Sequence, residues 1–151
     1  MSGVTIESAR ADDIDVIEAL LEREHLSTNG LHDLLEQTLV ARSGNRIVGC
    51  AAIELYDDGA LLRSVAVDAE YRGTGVGGEL TRAALRIAET SGVDAVYLQT
   101  TGAEQFFPRF GFAVIDRADL PPAVRSSWQF TSGCCASAIV MRKMLAGPGR
   151  R

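Results

Sequence analysis

Leu61-Leu62-Arg63-Ser64-Val65-Ala66-Val67, then Asp68-Ala69-Glu70-Tyr71, then Arg72-Gly73-Thr74-Gly75-Val76-Gly77-Gly78: this run decides how the chain is read. Its first seven residues are mostly apolar and fit a strand. The glycine-rich loop runs straight into a helical pattern. Val76, Leu80, Ala83, Ala84 and Ile87 share one face of that helix, and Glu79, Arg82, Arg86 and Glu89 share the other. Ser91-Gly92 ends the helix, and Ala95 to Gln99 reads as a buried strand. A strand–helix–strand crossover over 61–99 requires its two strands to be parallel. The loop itself sets free backbone N–H groups and the positive end of a helix dipole at one point, which suits phosphate. A pyrophosphate-bearing ligand is therefore expected there.

The flanking chain supplies the rest of a sheet. Val4 to Ser8 alternates as a strand, and Ala11-Asp12-Asp13 offers an N-cap with acids in the first turn. Ile14, Ile17, Leu20 and Leu21 then predict an amphipathic helix over about 12–24. Leu31, Leu34 and Leu35 suggest a second short helix. A strand at about 38–42, a turn at Ser43-Gly44-Asn45 and a strand from Ile47 to Tyr56 read as a hairpin. Asp57-Asp58-Gly59 turns into the Leu61–Val67 strand. Beyond Gln99, Ala103 to Arg109 is expected as a short helix stopped near Pro108 and Gly111, with a strand at 112–115. Residues 118–135 read as irregular, 138–144 as a last strand and 146–151 as a frayed tail. The expectation is one α/β (α+β) domain over 1–145, a mixed sheet with helices on its faces.

Composition narrows the function. Apolar residues make up 46% of the 151 and charged residues 23%, ordinary for a globular protein. No apolar run is long enough for a bilayer helix and the N-terminus lacks a secretory profile, so a cytoplasmic location is expected. The net charge of −5 argues against a general nucleic-acid binder. It is unevenly spread, −8 over residues 1–60 and +3 over the remainder, and an anionic ligand suits the second half better. Cys50, Cys134 and Cys135 have no zinc-type spacing, and no metal is expected.

Gly73, Gly75 and Gly78 satisfy G-x-G-x-x-G, but five residues separate Val67 from Gly73, too many for the tight dinucleotide turn. The next strand ends in Gln99-Thr100-Thr101 with no acid for a ribose, and no Gly-Lys-Ser/Thr marks a P-loop. Arg72-x-x-Gly75-x-Gly77 resembles instead the acyl-CoA loop of the GNAT superfamily of N-acetyltransferases. A second segment, Thr100-x-x-Ala103-x-x-Phe106-Phe107-Pro108-Arg109-Phe110-Gly111-Phe112, resembles that superfamily's N-x-x-A-x-x-F-Y-x-x-x-G-F. Residues 62–67, the Phe106-Phe107 pair and Trp128-Gln129-Phe130 to Met141 are similar to the branch linked to arsenic-resistance operons.

This resemblance implies a GNAT fold: a twisted, mostly antiparallel sheet with a splayed parallel strand pair at the cofactor site. It implies acetyl transfer from acetyl-CoA to the amine of a small, amino-acid-like acceptor, with homodimers common in the superfamily. The implied CoA-binding residues are Val65, Ala66 and Val67 on the strand, Arg72, Gly73, Thr74, Gly75, Val76, Gly77 and Gly78 in the loop, and Thr100, Ala103, Phe106, Phe107 and Arg109 beyond it. Backbone groups near Val65 and Val67 would hold the pantetheine arm and polarise the thioester. The amine must lose a proton to a base, and a donor must stabilise the oxyanion.

Glu54 interrupts an apolar strand and is the first candidate for that base, with a solvent-facing strand residue as the alternative. Arg63 interrupts the next strand, either to grip a substrate carboxylate or to pair with Glu54 for structural reasons, in which case neither is free for chemistry. Ser64 is a candidate hydrogen-bond donor. His25 and His32 flank the acceptor-side loop, and Cys134-Cys135 has the chemistry to capture a soft metalloid. Two positions depart from the family pattern. Phe107 stands where many members carry a tyrosine acid, and Thr100 replaces an asparagine. The absent acid makes a non-catalytic CoA sensor the competing reading.

Overall fold

The computed structural model describes residues 3–26, 28, 30–127 and 138–145. Among these residues seven strands, β1 (Val4–Ser8), β2 (Thr38–Ser43), β3 (Arg46–Tyr56), β4 (Gly59–Val67), β5 (Ala95–Thr100), β6 (Ala113–Ile115) and β7 (Ile139–Met144), join in the order β1-β2-β3-β4-β5-β7-β6. β1–β2, β2–β3, β5–β7 and β6–β7 are antiparallel, and β4–β5 is parallel as the crossover requires. The sheet is thus mixed and mostly antiparallel. Ser43 pairs with Arg46, so the β2–β3 hairpin closes over two residues, with Gly44 at φ 62° taking the left-handed position.

Chain contacts divide the molecule into two units, and β3, β4 and the long helix each run through both. The first unit is Met1–Ile53 with Ser64–Ala84. Helix α1 (Ile14–Arg23) buries Ile17, Leu20 and Leu21 in a cluster with Leu31, Val40, Ile47, Cys50 and Ala66. Helix α2 (Val76–Ser91) sets its first turns on Gly49, where a Cβ would lie 2.9 Å from Leu80 and 3.2 Å from Val76. Gly49 and Cys50 are successive strand residues and face opposite ways, so α1 and α2 cover opposite faces of β3. Arg42 on β2 hydrogen-bonds both Glu7 on β1 and Asp13 at the start of α1, fastening that helix to its sheet.

The second unit is Glu54–Arg63 with Leu85–Arg151. Its core gathers Leu61, Ala95, Tyr97, Leu120, Val124 and Val140, with Tyr56 and Ile115 packed against them. Helix α3 (Pro122–Arg125) lies in the stretch expected to be irregular. A proline opens it, and the Ala123 N–H donates to the Asp58 carboxylate at 2.8 Å, a long-range bond that no local pattern announces.

Three further expectations are corrected. The buried stripe of α2 is Val76, Leu80, Thr81, Ala84, Leu85 and Ala88, one step round from the expected face, with Ala83 and Ile87 half-buried. The short helix expected at 103–109 is a 3-10 turn at Phe107–Phe110. Pro108 starts that turn instead of stopping a longer helix, and Gly111 at φ 98° ends it. The second short helix expected near Leu31 is also 3-10, over His32–Gln37. Among the described residues no helix is long and apolar enough to cross a membrane.

Candidate active site

The glycine loop is held at its base. The Glu70 N–H donates to the Asp68 carboxylate at 3.0 Å, and the Tyr71 hydroxyl reaches the Ser43 Oγ at 3.0 Å. Gly73 and Gly75 are left-handed, at φ 79° and 93°, and a Cβ on either would meet nothing within 4 Å. The Glu79 N–H closes the first helical turn on the Gly75 carbonyl at 3.0 Å. The N–H groups of Val76, Gly77 and Gly78 therefore precede any intrahelical acceptor. Donors, a helix dipole and open space at the tip are what a pyrophosphate needs, and the loop fits one. The Thr74 hydroxyl is turned inward to the Tyr71 carbonyl, and Arg72 is paired with Glu24 at the end of α1. Arg72 is well exposed, so that pairing is weak and exchangeable for an anionic ligand.

β4 leads back from the loop. Ser64, expected as a hydroxyl donor, lies at φ 60°, a left-handed residue inside a strand of the kind that makes a bulge. Cys50, fully buried on β3, clamps this irregularity. Its thiol donates to the Ser64 carbonyl at 3.2 Å and accepts from the Ala66 N–H. Burial pushes the thiol up to about 12, so it stays an S–H donor. Val65 and Val67 are half-buried beside this clamp and Ala66 is buried. Cys50→Ala is expected to lower unfolding free energy by about 1–2 kcal/mol in urea melts, and Cys50→Ser to lose less because its hydroxyl can make the same two bonds.

Glu54 and Arg63 form a buried ion pair. Their side chains are 5% and 1% exposed, and Arg63 Nη1 donates to Glu54 Oε2 at 2.9 Å. This overturns the solvent-facing alternative for Glu54 and brings the two strand interruptions together. The other carboxylate oxygen, Oε1, accepts from the Tyr56 hydroxyl, and Ser127 in turn donates to Tyr56. Burial, then the bond to Glu54, pushes the Tyr56 phenol up to about 12. The parallel register of β4 and β5 covers Ala60↔Val96 and Leu61↔Tyr97, so Arg63 stands two residues past the last registered pair.

The second segment is built mainly by packing. Thr100 Oγ1 accepts from the Ala103 N–H at 3.2 Å, a local loop role, and Glu104 accepts from the Gly102 N–H at 2.9 Å. Phe107 is 7% exposed and lies edge-on to Phe106 and Phe112, with centroids 5.0 and 5.8 Å away. The Arg109 guanidinium sits 5.1 Å over Phe106. His25 is exposed, and His32 lies on the surface 3.6 Å from Glu18. Cys134, Cys135 and Trp128 fall outside the described residues, among which no metal-ligating cluster occurs.

A family model, the acetyltransferase (GNAT) domain, matches residues 35–114, from β2 to β6. The chain belongs to the GNAT acetyltransferase family. An amino-acid acetyltransferase of Pasteurella multocida is 29% identical over 136 residues. The match takes in 83% of this GNAT chain but only 31% of that relative's length. The N-acetylglutamate synthase of Neisseria gonorrhoeae, solved with coenzyme A and N-acetyl-glutamate, superposes with a TM-score of 0.81 at 22% identity, over 94% of this chain and 35% of that one. Rv2747 of Mycobacterium tuberculosis, solved with CoA, gives 0.80 at 22%, over 93% and 99%. These likenesses establish the GNAT fold.

Sequence reasoning missed Tyr56, Ser127 and the clamping role of Cys50. Tyr56 follows Glu54 by two residues, hence on the same strand face, and that spacing was the one available signal. Nothing local links Ser127 to Glu54.

Proposed function

We propose that this GNAT chain is an acetyl-CoA-dependent N-acetyltransferase acting on the amine of a small, amino-acid-like acceptor. The observation that carries the proposal is the glycine loop, with Gly73 and Gly75 left-handed and open and three helix-start N–H groups that have no intrahelical acceptor. Arg72 to Gly78 would hold the pyrophosphate, and Thr100, Ala103, Phe106, Phe107 and Arg109 are the further CoA contacts that the family resemblance implies. Backbone groups of Val65, Ala66 and Val67 would hold the pantetheine and polarise the acetyl carbonyl. Acetyl-CoA supplies an activated thioester, and the chain supplies orientation, oxyanion stabilisation and a proton acceptor. Glu54 is the ultimate acceptor of that proton, and Arg63 is its fixed counter-charge. The amino-acid acceptor is supported by the Pasteurella multocida relative and by the acetylated amino acid in the Neisseria gonorrhoeae complex.

The same reading carries a cytoplasmic setting, a single working domain over 1–145, no metal, and a homodimer as the assembly to look for. Membership of the arsenic-resistance branch rests on residues 62–67, on Phe106-Phe107 and on the stretch after Trp128. A second reading, a CoA-binding sensor without turnover, is favoured by one observation: Phe107 is an interior aromatic with no proton to give.

Incubation with acetyl-CoA and a panel of amino acids and amines, following release of the CoA thiol, tests the proposal. The expected result is acceptor-dependent release at a rate on the order of 1–10³ per second. Failure to bind CoA in calorimetry at millimolar concentration would overturn it. Tight CoA binding with no release on any amine would establish the sensor instead.

A further inference from the structure

We infer that the Tyr56 hydroxyl is the group that meets the acceptor amine, taking its proton while passing its own to Glu54. The inference rests on the acetyltransferase reading above and assigns the proton path that Phe107 leaves open on the acid side and the buried Glu54 leaves open on the base side.

Geometry excludes Glu54 from direct contact. Oε2 is occupied by Arg63, Oε1 by Tyr56, and the residue is 4% exposed. Arg63 and Ser127 are equally enclosed, at 4% and 2%. Tyr56 is half-buried and is the one member of this network, among the described residues, that reaches the surface. Its ring is fixed against the core of the second unit, so the hydroxyl does not wander. A phenol oxygen has one proton to give and two lone pairs to accept with. Here the proton goes to Glu54 and one lone pair takes the bond from Ser127, which leaves one lone pair for an incoming ammonium. The charged groups facing it are Glu54 from β3 and Arg63 from β4, Ser127 is its polar uncharged neighbour, and its ring packs on apolar residues of the core. A phenol pushed up to about 12 does not accumulate as phenolate, so the two proton movements occur together.

In the step, an ammonium N–H bond breaks toward Tyr56 Oη as the Oη–H proton moves to Glu54 Oε1. The freed amine lone pair forms the C–N bond to the acetyl carbon. The C–S bond then breaks, its electron pair staying on sulfur. The extra proton carried by the nitrogen after attack leaves with that sulfur as CoA thiol. Glu54 returns its proton to solvent by the reverse of the same path.

The test compares the wild type with Tyr56→Phe, Glu54→Gln and the double variant, using acetyl-CoA and the best acceptor of the amine panel. Tyr56→Phe keeps the ring and its packing, and CoA binding by calorimetry checks that the fold persists. The expected result is a fall in kcat of about 10²–10³-fold with KM for acetyl-CoA little changed. The double variant is expected to be no slower than Glu54→Gln alone, because the two groups act as one path. Tyr56→Phe retaining wild-type kcat, or losses that multiply in the double variant, would overturn the relay and leave the acetyltransferase reading standing. A wild-type protein that binds CoA but acetylates nothing would overturn both.

Discussion

Arg63→Met is expected to cost about 3–5 kcal/mol of unfolding free energy, measured by urea denaturation, a large part of the stability of a domain this size. The cost does not come from the attraction that is lost. A buried ion pair barely outweighs the hydration its members give up, and many contribute little net stability. It comes from what is left behind. Glu54 is 4% exposed, its Oε2 has its bond from Arg63 Nη1, and methionine fills the space without donating anything. The carboxylate then stays buried with only the Tyr56 hydroxyl for company. Removing both charges in Glu54→Leu/Arg63→Met is expected to recover most of the loss while abolishing turnover. A single variant within 1 kcal/mol of wild type would mean that water or a rotation of Glu54 relieves the charge.

Gly75→Ala is expected to weaken CoA binding at least tenfold, measured by calorimetry, while costing about 1–2 kcal/mol in stability. The stability loss follows from φ 93°, where an L side chain is strained. The binding loss has a separate origin, a methyl group placed in the open space at the loop tip where the phosphates must approach. Gly92→Ala separates the two. Gly92 follows the last residue of α2, has φ 88° and also has nothing within 4 Å of a built Cβ, so it carries the same backbone strain far along the helix from the loop. It should lose comparable stability and leave CoA affinity unchanged. Equal loss of affinity in both variants would assign the effect to the fold and not to the loop.

Much of this architecture was legible because local chemistry and tertiary structure agree. The hairpin at Gly44-Asn45, the crossover over 61–99 and the glycine loop are written in neighbouring residues, and each formed where expected. The misses have a common form. α3 at Pro122 depends on Asp58, and the turn at Phe107 on aromatic packing with Phe106 and Phe112. Ser64 was read as a hydroxyl, but its distinctive feature is a left-handed backbone supported by Cys50, fourteen residues away.

By itself the sequence pointed to the family, to the parallel sense of the two crossover strands and to the loop expected to take phosphate, because glycine positions and apolar periods act over a few residues. It also marked Glu54 and Arg63 as out of place in apolar strands. Only the tertiary structure decided what they do for each other. A charge's partner is set by which strands lie side by side, and burial alone determines whether a carboxylate meets water, an arginine or a phenol. That is why Tyr56 and Ser127 emerged from the fold, and why the loop, whose donors are backbone groups, could be recognised without it.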